Sequence, residues 1–135
     1  MEEDPAIIAI PQLLTGVGAS ALIAEKLGNR IYPVQAPDST PPGYLTFSQL
    51  GAEVITTKDG DIPNGWSFDI SIFTTNVLDA KRIAREVIRT LSNQVTAVEG
   101  LGNLRLSYVD EIDTGYDETR ELFTIGLEFR AKKTT

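Results

Sequence analysis

The residue types that most often carry out catalysis are missing from this sequence of 135 residues, which contains no histidine and no cysteine. Without histidine there is no imidazole to act as a general base or to bind a metal ion. Without cysteine there is no thiolate nucleophile, no thiolate zinc site and no disulfide framework. The remaining candidates for chemistry are carboxylates and basic side chains.

An acidic segment at residues 110–118 lies between two stretches of alternating residues near the C-terminus. Its carboxylates, with one just beyond, are Asp110, Glu111, Asp113, Asp117, Glu118 and Glu121. Carboxylates bind calcium, but their spacing here does not match the loop of an EF-hand. A pair of them can hydrolyse glycosides, but nothing in the sequence sets their separation in space. We interpret the segment as a solvated loop, or as a loop that contacts a basic partner or repels DNA.

One basic cluster stands out on the side of a predicted helix. It consists of Lys81, Arg82, Arg85 and Arg89. Such a stripe is typical of phosphate binding. However, 12 basic and 19 acidic residues give the chain a net charge of −7, so its surface repels nucleic acid and anionic lipid. The alternatives are a solvated helix face or the basic half of a contact between copies of the chain.

The charge pattern predicts a head-to-tail contact, because two unlike patches of opposite charge attract each other across neighbouring copies. The predicted contact residues are Arg82, Arg85 and Arg89 on one side and Asp110, Glu111 and Asp113 on the other.

A glycine motif at residues 16–21 matches G-x-G-x-x-A, the pattern of a dinucleotide-binding loop. That loop must directly follow a buried parallel strand, so that the next helix can face a pyrophosphate. Here residues 11–15 intervene, and the later elements do not follow a parallel α/β pattern. We interpret the motif as a joint between helices, and we assign no catalytic residue, cofactor or metal ion to the chain.

Hydrophobic periodicity predicts the elements that position these side chains. Residues 5–27 are predicted to form two helical pieces. Residues 76–92 give the clearest helix, with apolar residues every three or four positions and Asn76 as its N-cap. Alternation predicts strands at residues 44–55 and 66–73, joined by a polar turn at 58–65.

A C-terminal hairpin completes the predicted fold, with the acidic segment as its loop. The fold class is therefore α+β, an antiparallel sheet with helices packed on one face, ending in a long C-terminal β-hairpin. The length predicts a single domain over residues 1–135, with short flexible tails at about residues 1–4 and 131–135. The longest apolar runs are far shorter than the ~20 residues of a membrane span, and the N-terminus is acidic. We expect the protein to remain in the compartment where it is made.

Four pieces in collinear order carry a family resemblance over residues 13–92. They are Gly28-Asn29-Arg30-Ile31-Tyr32-Pro33, Ala36-Pro37, Pro42-Gly43-Tyr44-Leu45-Thr46-Phe47, and the strand at 66–73 followed by the helix at 76–91. In this order they resemble the tail-completion, or tail-to-head joining, family of long-tailed bacteriophages, whose members include tail terminators. The shared residues are structural signatures and not catalytic ones.

The resemblance implies a non-enzymatic virion protein of the phage neck, present in the host cytoplasm during assembly. Such a protein forms a ring, usually a hexamer, at the head-proximal end of the tail, where it ends the tail tube and joins tail to head. Its partners would be copies of itself, the tail-tube protein and the head connector or adaptor protein. DNA would pass through the lumen only as cargo, and no membrane would be involved.

By hypothesis, residues 49–66 and 109–120 carry the docking surfaces for the other virion proteins. The alternatives are another neck or tail part, such as a head–tail adaptor or a tail-tube subunit, or a small ligand-binding α+β domain.

Overall fold

The computed structural model describes residues 21–27, 30–33, 36, 41–57, 60–92, 95–98 and 102–133. The first predicted helical piece, most of the glycine motif and residues 1–4 lie outside this part of the chain. Among the described residues, no helix has the length and apolar character that crossing a membrane requires.

Six strands form one open sheet. They are β1 (Ile31–Pro33), β2 (Tyr44–Thr57), β3 (Gly60–Thr74), β4 (Val95–Val98), β5 (Gly102–Asp117) and β6 (Leu122–Lys133). Their order across the sheet is β1-β2-β3-β6-β5-β4. Strand β1 runs parallel to β2, and all other neighbours are antiparallel. The predicted α+β class, with its antiparallel sheet and long C-terminal hairpin, is confirmed.

Two helices, α1 (Ala21–Leu27) and α2 (Val77–Leu91), are seen in the described part of the chain. Helix α2 packs on β3, β5 and β6, and α1 packs against α2. The predicted cap of α2 is confirmed, because the Asn76 side chain accepts hydrogen bonds from the backbone N–H groups of Leu78 (2.8 Å) and Asp79 (3.3 Å). The helix begins and ends within one residue of its predicted bounds.

The core lies between α2 and the face of the sheet that the alternating pattern predicts to be apolar. Phe68, Ile70 and Ile72 of β3 are almost completely buried there, beside Leu127 and Phe129 of β6. The rings of Phe68 and Phe129 stack with their centroids 5.8 Å apart. Burying each such side chain stabilises the fold by about 2 kcal/mol. The side chain of Trp66, also predicted on this face, lies outside the described residues.

The two long hairpins project from opposite ends of the sheet. The pairing of β3 with β6 runs from Gly65 opposite Lys132 to Thr74 opposite Phe123. The β2–β3 turn precedes the Gly65 end of β3, whereas the β5–β6 turn lies at the Phe123 end of β6. Consequently the two segments expected to dock other proteins point in opposite directions along the strands.

Three predicted boundaries are wrong. The polar turn at 58–65 is shorter, because β3 begins at Gly60, which pairs with Thr57. The acidic segment at 110–118 is not a loop, because β5 continues to Asp117 and only residues 118–121 form the turn. The expected tail at 131–135 is ordered as strand as far as Lys133, and Ala131 is fully buried. Neighbouring strands are joined by backbone hydrogen bonds, which polar residues form as well as apolar ones. The polar residues in these segments therefore suggested a turn, a loop and a tail where the strands continue.

Two register shifts also interrupt the alternation of apolar and polar residues in β5, so this alternation does not reveal the full length of the strand. One falls between Tyr108 and Asp110, the other between Ile112 and Gly115. Each extra residue reverses the faces of the side chains that follow. Between the shifts, the Ile112 carbonyl lies so close to Gly126 that a Cβ atom at Gly126 would overlap its oxygen.

The Arg-Ile-Tyr-Pro segment of the family resemblance, whose last three residues form β1, has a structural role. The Arg30 guanidinium donates to the carbonyl of Gly43 at 2.9 Å and to the carbonyl of Lys26, near the end of α1, at 3.1 Å. Gly43 has a φ of +90°, which glycine adopts without strain, and its N–H donates to the Phe73 carbonyl. Arg30 therefore links α1 to the start of β2.

Candidate functional site

The basic side of α2, defined as Arg82, Arg85 and Arg89, faces away from the sheet. The buried side of the helix comprises Ala80, Ile83, Ala84, Val87 and Leu91. Because an α-helix turns by 100° per residue, the three arginines fall on the opposite side. All three are exposed. The helix therefore presents a row of guanidinium groups on one outer surface of the domain.

The arginines differ in their pairing. Arg89 donates to Glu86, one turn earlier, with distances of 2.8 and 3.3 Å to its carboxylate oxygens. This hydrogen bond and the charge of Glu86 raise the pKa of Arg89. Arg82 and Arg85 form no ion pair with another described residue. Their charges are thus available for a partner.

An acidic row crosses the outer sheet face, the face opposite the helices. Asp110 of β5 lies directly opposite Glu128 of β6, and Glu128 is next to Asp69 of β3. Asp69 in turn lies opposite Ser48 of β2. The Ser48 hydroxyl donates a hydrogen bond to the Asp69 carboxylate. Since directly paired residues project to the same face, Asp69, Glu128 and Asp110 form one row across three adjacent strands.

Like charges on directly opposed strand residues repel each other, so Glu128 disfavours both Asp110 and Asp69, while Arg130, two positions along β6 on the same face, adds one positive charge beside the row. Asp110 is exposed, whereas Asp69 and Glu128 are half-buried. None of the three forms an ion pair with another described residue. The row does not converge on a point, and no three acidic side chains in the described part of the chain are placed to hold a metal ion.

The structure separates the acidic residues that the sequence grouped together. Asp110 lies on the outer sheet face, but Glu111 lies opposite Leu127 and is therefore on the helix-bearing face. The backbone of Asp113 belongs to β5, and its side chain lies outside the described residues. The basic side of α2 is on the far side of the sheet from Asp110. Within one chain, neither Asp110 nor Glu111 forms an ion pair with the basic side of α2.

Asp69 and Glu128 are the charged residues that sequence reasoning missed. Alternation with buried neighbours indicates that each faces away from the core. However, it does not tell which residue of the adjacent strand each one meets. That information comes from the register of β3, β5 and β6, which the two shifts in β5 alter.

Tyr108 precedes Asp110 in β5 but lies on the opposite, helix-bearing face of the sheet, where it pairs with Phe129. Its ring contacts Phe129 edge to face, with the centroids 5.6 Å apart. Partial burial raises the pKa of Tyr108, and the negative charges of Asp110 and Glu111 raise it further. The neutral phenol is therefore the form that the folded protein favours.

A small polar cleft lies between α1, the segment before β2 and the start of α2. It is lined by Lys26, Pro42, Gly43, Thr74, Thr75, Asp79 and Ile83. Lys26 and Asp79 approach to 3.6 Å across it, and the buried Thr74 hydroxyl donates to the Asn76 carbonyl at 2.7 Å. The Lys26–Asp79 ion pair therefore joins α1 to α2 across the cleft.

The chain matches no known protein-family model and no curated protein. Among solved structures it is similar to a chain from a structure described as "Virion of native gene transfer agent (GTA) particle". The two share 22% sequence identity with a TM-score of 0.66, over 86% of this chain and 87% of the other. At this level of identity the likeness establishes a common fold over nearly the whole of both chains.

Proposed function

We propose that this protein is a structural component of a phage-like virion and acts by assembly rather than by catalysis. The observation that carries the proposal is the fold, which is shared over 86% of the chain with a protein from a gene transfer agent virion. The collinear tail-completion signatures at residues 13–92 point in the same direction independently.

Within the virion, the proposed role is that of a tail terminator. Copies of the chain form a ring, of six subunits, at the head-proximal end of the tail, where the ring ends the tube and joins it to the head connector. Such a role requires one docking surface on each side of the ring. The β2–β3 and β5–β6 hairpins at opposite ends of the sheet supply two candidate surfaces.

The net charge of −7 suits a ring through which DNA passes as cargo, because an anionic lumen does not retain the phosphate backbone. Contacts between subunits would use the basic side of α2 and acidic residues of β5. A repeated contact between two unlike patches closes into a ring when the rotation between subunits permits it.

The ring is tested with the purified full-length protein by light scattering and by electron microscopy, alone and with tail tubes. We expect closed particles of uniform symmetry bound to one end of each tube. A protein that stays monomeric at high concentration and with tubes present would exclude the ring.

Tails assembled without this protein separate the terminator from the other virion roles. Over-long or headless tails support a terminator. Normal tail length with free heads indicates a head–tail adaptor, and absence of tubes indicates a tube subunit. Calorimetric titration with calcium and with a nucleotide tests a ligand-binding domain, for which we expect no heat of binding.

A further inference from the structure

We propose that the basic side of α2 in one copy docks on the acidic row of the outer sheet face in the next copy. The inference rests on the proposed ring and specifies its subunit contact. The basic half of the proposed contact is the one expected from the sequence. Its acidic half is different and consists of Asp69, Glu128 and Asp110. Glu111 is excluded, because it lies on the other face of β5.

The layering of the domain makes this contact intermolecular. Helix α2 covers one face of the sheet, and its arginines point away from that sheet. The acidic row lies on the other face. The sheet itself separates the two groups, so the arginines of one copy reach only the carboxylates of another copy.

Charge complementarity indicates that the partner bound to the acidic row is a second copy of the chain. The row contains two like-charged cross-strand pairs, and none of its carboxylates forms an ion pair with another described residue, although Arg130 lies two positions along β6 from Glu128 on the same face. The helix carries three guanidinium groups, of which Arg82 and Arg85 also lack an ion-pair partner in the described part of the chain. Guanidinium groups bind carboxylates through charge-assisted hydrogen bonds, so the contact satisfies both sets.

The two rows also match in length. Arg82 and Arg89 are seven residues apart, which is about 10 Å along a helix axis. Asp69 and Asp110 are two strand spacings apart, which is again about 10 Å. A helix lying across the neighbour's strands therefore brings each arginine opposite one carboxylate.

Disulfide trapping tests the contact directly, because the natural chain has no cysteine and every crosslink reports the introduced pair. The full-length double variant Arg85→Cys/Glu128→Cys is oxidised at assembly concentration and separated under denaturing, non-reducing conditions. We expect a ladder of covalent oligomers that ends at the ring size. The matched control is Arg120→Cys/Glu128→Cys, in which one cysteine is moved to the exposed β5–β6 turn, and we expect no ladder from it.

Charge reversal provides a second measurement on the same contact. We expect Arg85→Glu and Glu128→Arg each to weaken self-association about tenfold or more, because each places like charges together. Their combination should restore most of the loss, since it reverses the pair. Arg120→Glu and Glu118→Arg are the matched controls, which change the net charge equally without touching either row.

The outcomes distinguish this contact from the ring itself. Wild-type rings together with no ladder, or with single reversals that behave like their controls, would overturn the contact and leave the proposed function intact. A wild-type protein that is monomeric under all conditions, including with tail tubes, would overturn both. A ladder and a restored double reversal would support both.

Discussion

Gly126 is the residue on which the pairing of β5 with β6 between its two register shifts depends. A side chain at this position meets the backbone of Ile112, which cannot rotate away as a flexible side chain can. We expect Gly126→Ala to lower the free energy of unfolding by about 2 kcal/mol, the usual effect of overpacking. Urea denaturation measures the difference.

Gly115, at the second register shift of the same strand, provides the matched control. A Cβ atom there has no neighbour within 4 Å. We expect Gly115→Ala to change stability by less than about 0.5 kcal/mol. Equal losses in the two variants would show that the Ile112 carbonyl does not constrain Gly126.

The pKa of Tyr108 predicts an alkaline loss of stability. Because partial burial and two neighbouring carboxylates raise this pKa in the folded state, the neutral phenol favours folding. The stabilisation is complete below the ordinary tyrosine pKa of about 10 and is lost as the pH rises through the raised value. We therefore expect the wild-type protein to lose more stability across this range than Tyr108→Phe does.

Tyrosinate absorbance during alkaline titration provides the measurement. The difference between the wild-type and Tyr108→Phe curves isolates Tyr108 from the other three tyrosines. Asp110→Asn removes one of the two charges and should lower the midpoint. A midpoint at or below the ordinary tyrosine value would contradict the assigned environment.

At the scale of elements, the N-cap of α2 fixes where the basic side of the helix begins. Asn76 satisfies two backbone N–H groups of the first turn. We expect Asn76→Ala to destabilise the protein by about 1 kcal/mol, whereas Asn76→Asp keeps the acceptor and should retain wild-type stability. Thermal unfolding monitored by circular dichroism compares the variants, and equal losses in both would argue against the cap.

The sequence was sufficient to predict elements whose pattern is strong and local. Helix α2 and the buried side of β3 follow from periodicity, because one element contains all the residues that define it. The extent of β5 was not predictable in this way. Its two register shifts reverse the alternation, and a strand paired on one side tolerates the polar residues that resemble a loop.

Only the basic half of the candidate site could be predicted from the sequence. The basic side of α2 is a property of a single helix, and the structure places it as periodicity requires. The acidic row draws one residue from each of three strands that are distant in sequence. Its composition is decided by cross-strand register, which no local pattern encodes.

At the scale of the whole molecule, the β5–β6 end of the sheet carries an apolar surface. Tyr116 is 50% exposed although it contacts Phe123, and Leu78 at the start of α2 is 53% exposed. Thr74, just before that helix, pairs with Phe123, which places both exposed residues at the same end. Because exposed apolar residues that group together can form a contact surface, we predict that this end of the sheet contacts another protein.

Under the proposed function, we expect Tyr116→Ser to abolish joining to one axial partner, the head connector or the tail tube, and to leave the proposed ring intact. In vitro joining of purified heads and tails measures this effect. Val95→Ser, a substitution of a residue 48% exposed at the opposite end of the sheet, is the matched control and should not affect the same joint. Dissociated rings, or equal joining defects in both variants, would refute the prediction that only the Tyr116 end of the sheet takes part in this joint.

The short strand β4 has a further consequence for the unassembled subunit. It pairs only with residues 102–105 of β5, so the rest of that strand has no neighbour on its outer side in the described part of the chain. A bare backbone edge invites foreign strands to add to it. Irregular register and the repulsion between Asp110, Glu111 and Asp117 of like edges disfavour such strand addition, and we expect the purified protein to resist edge-to-edge aggregation for this reason.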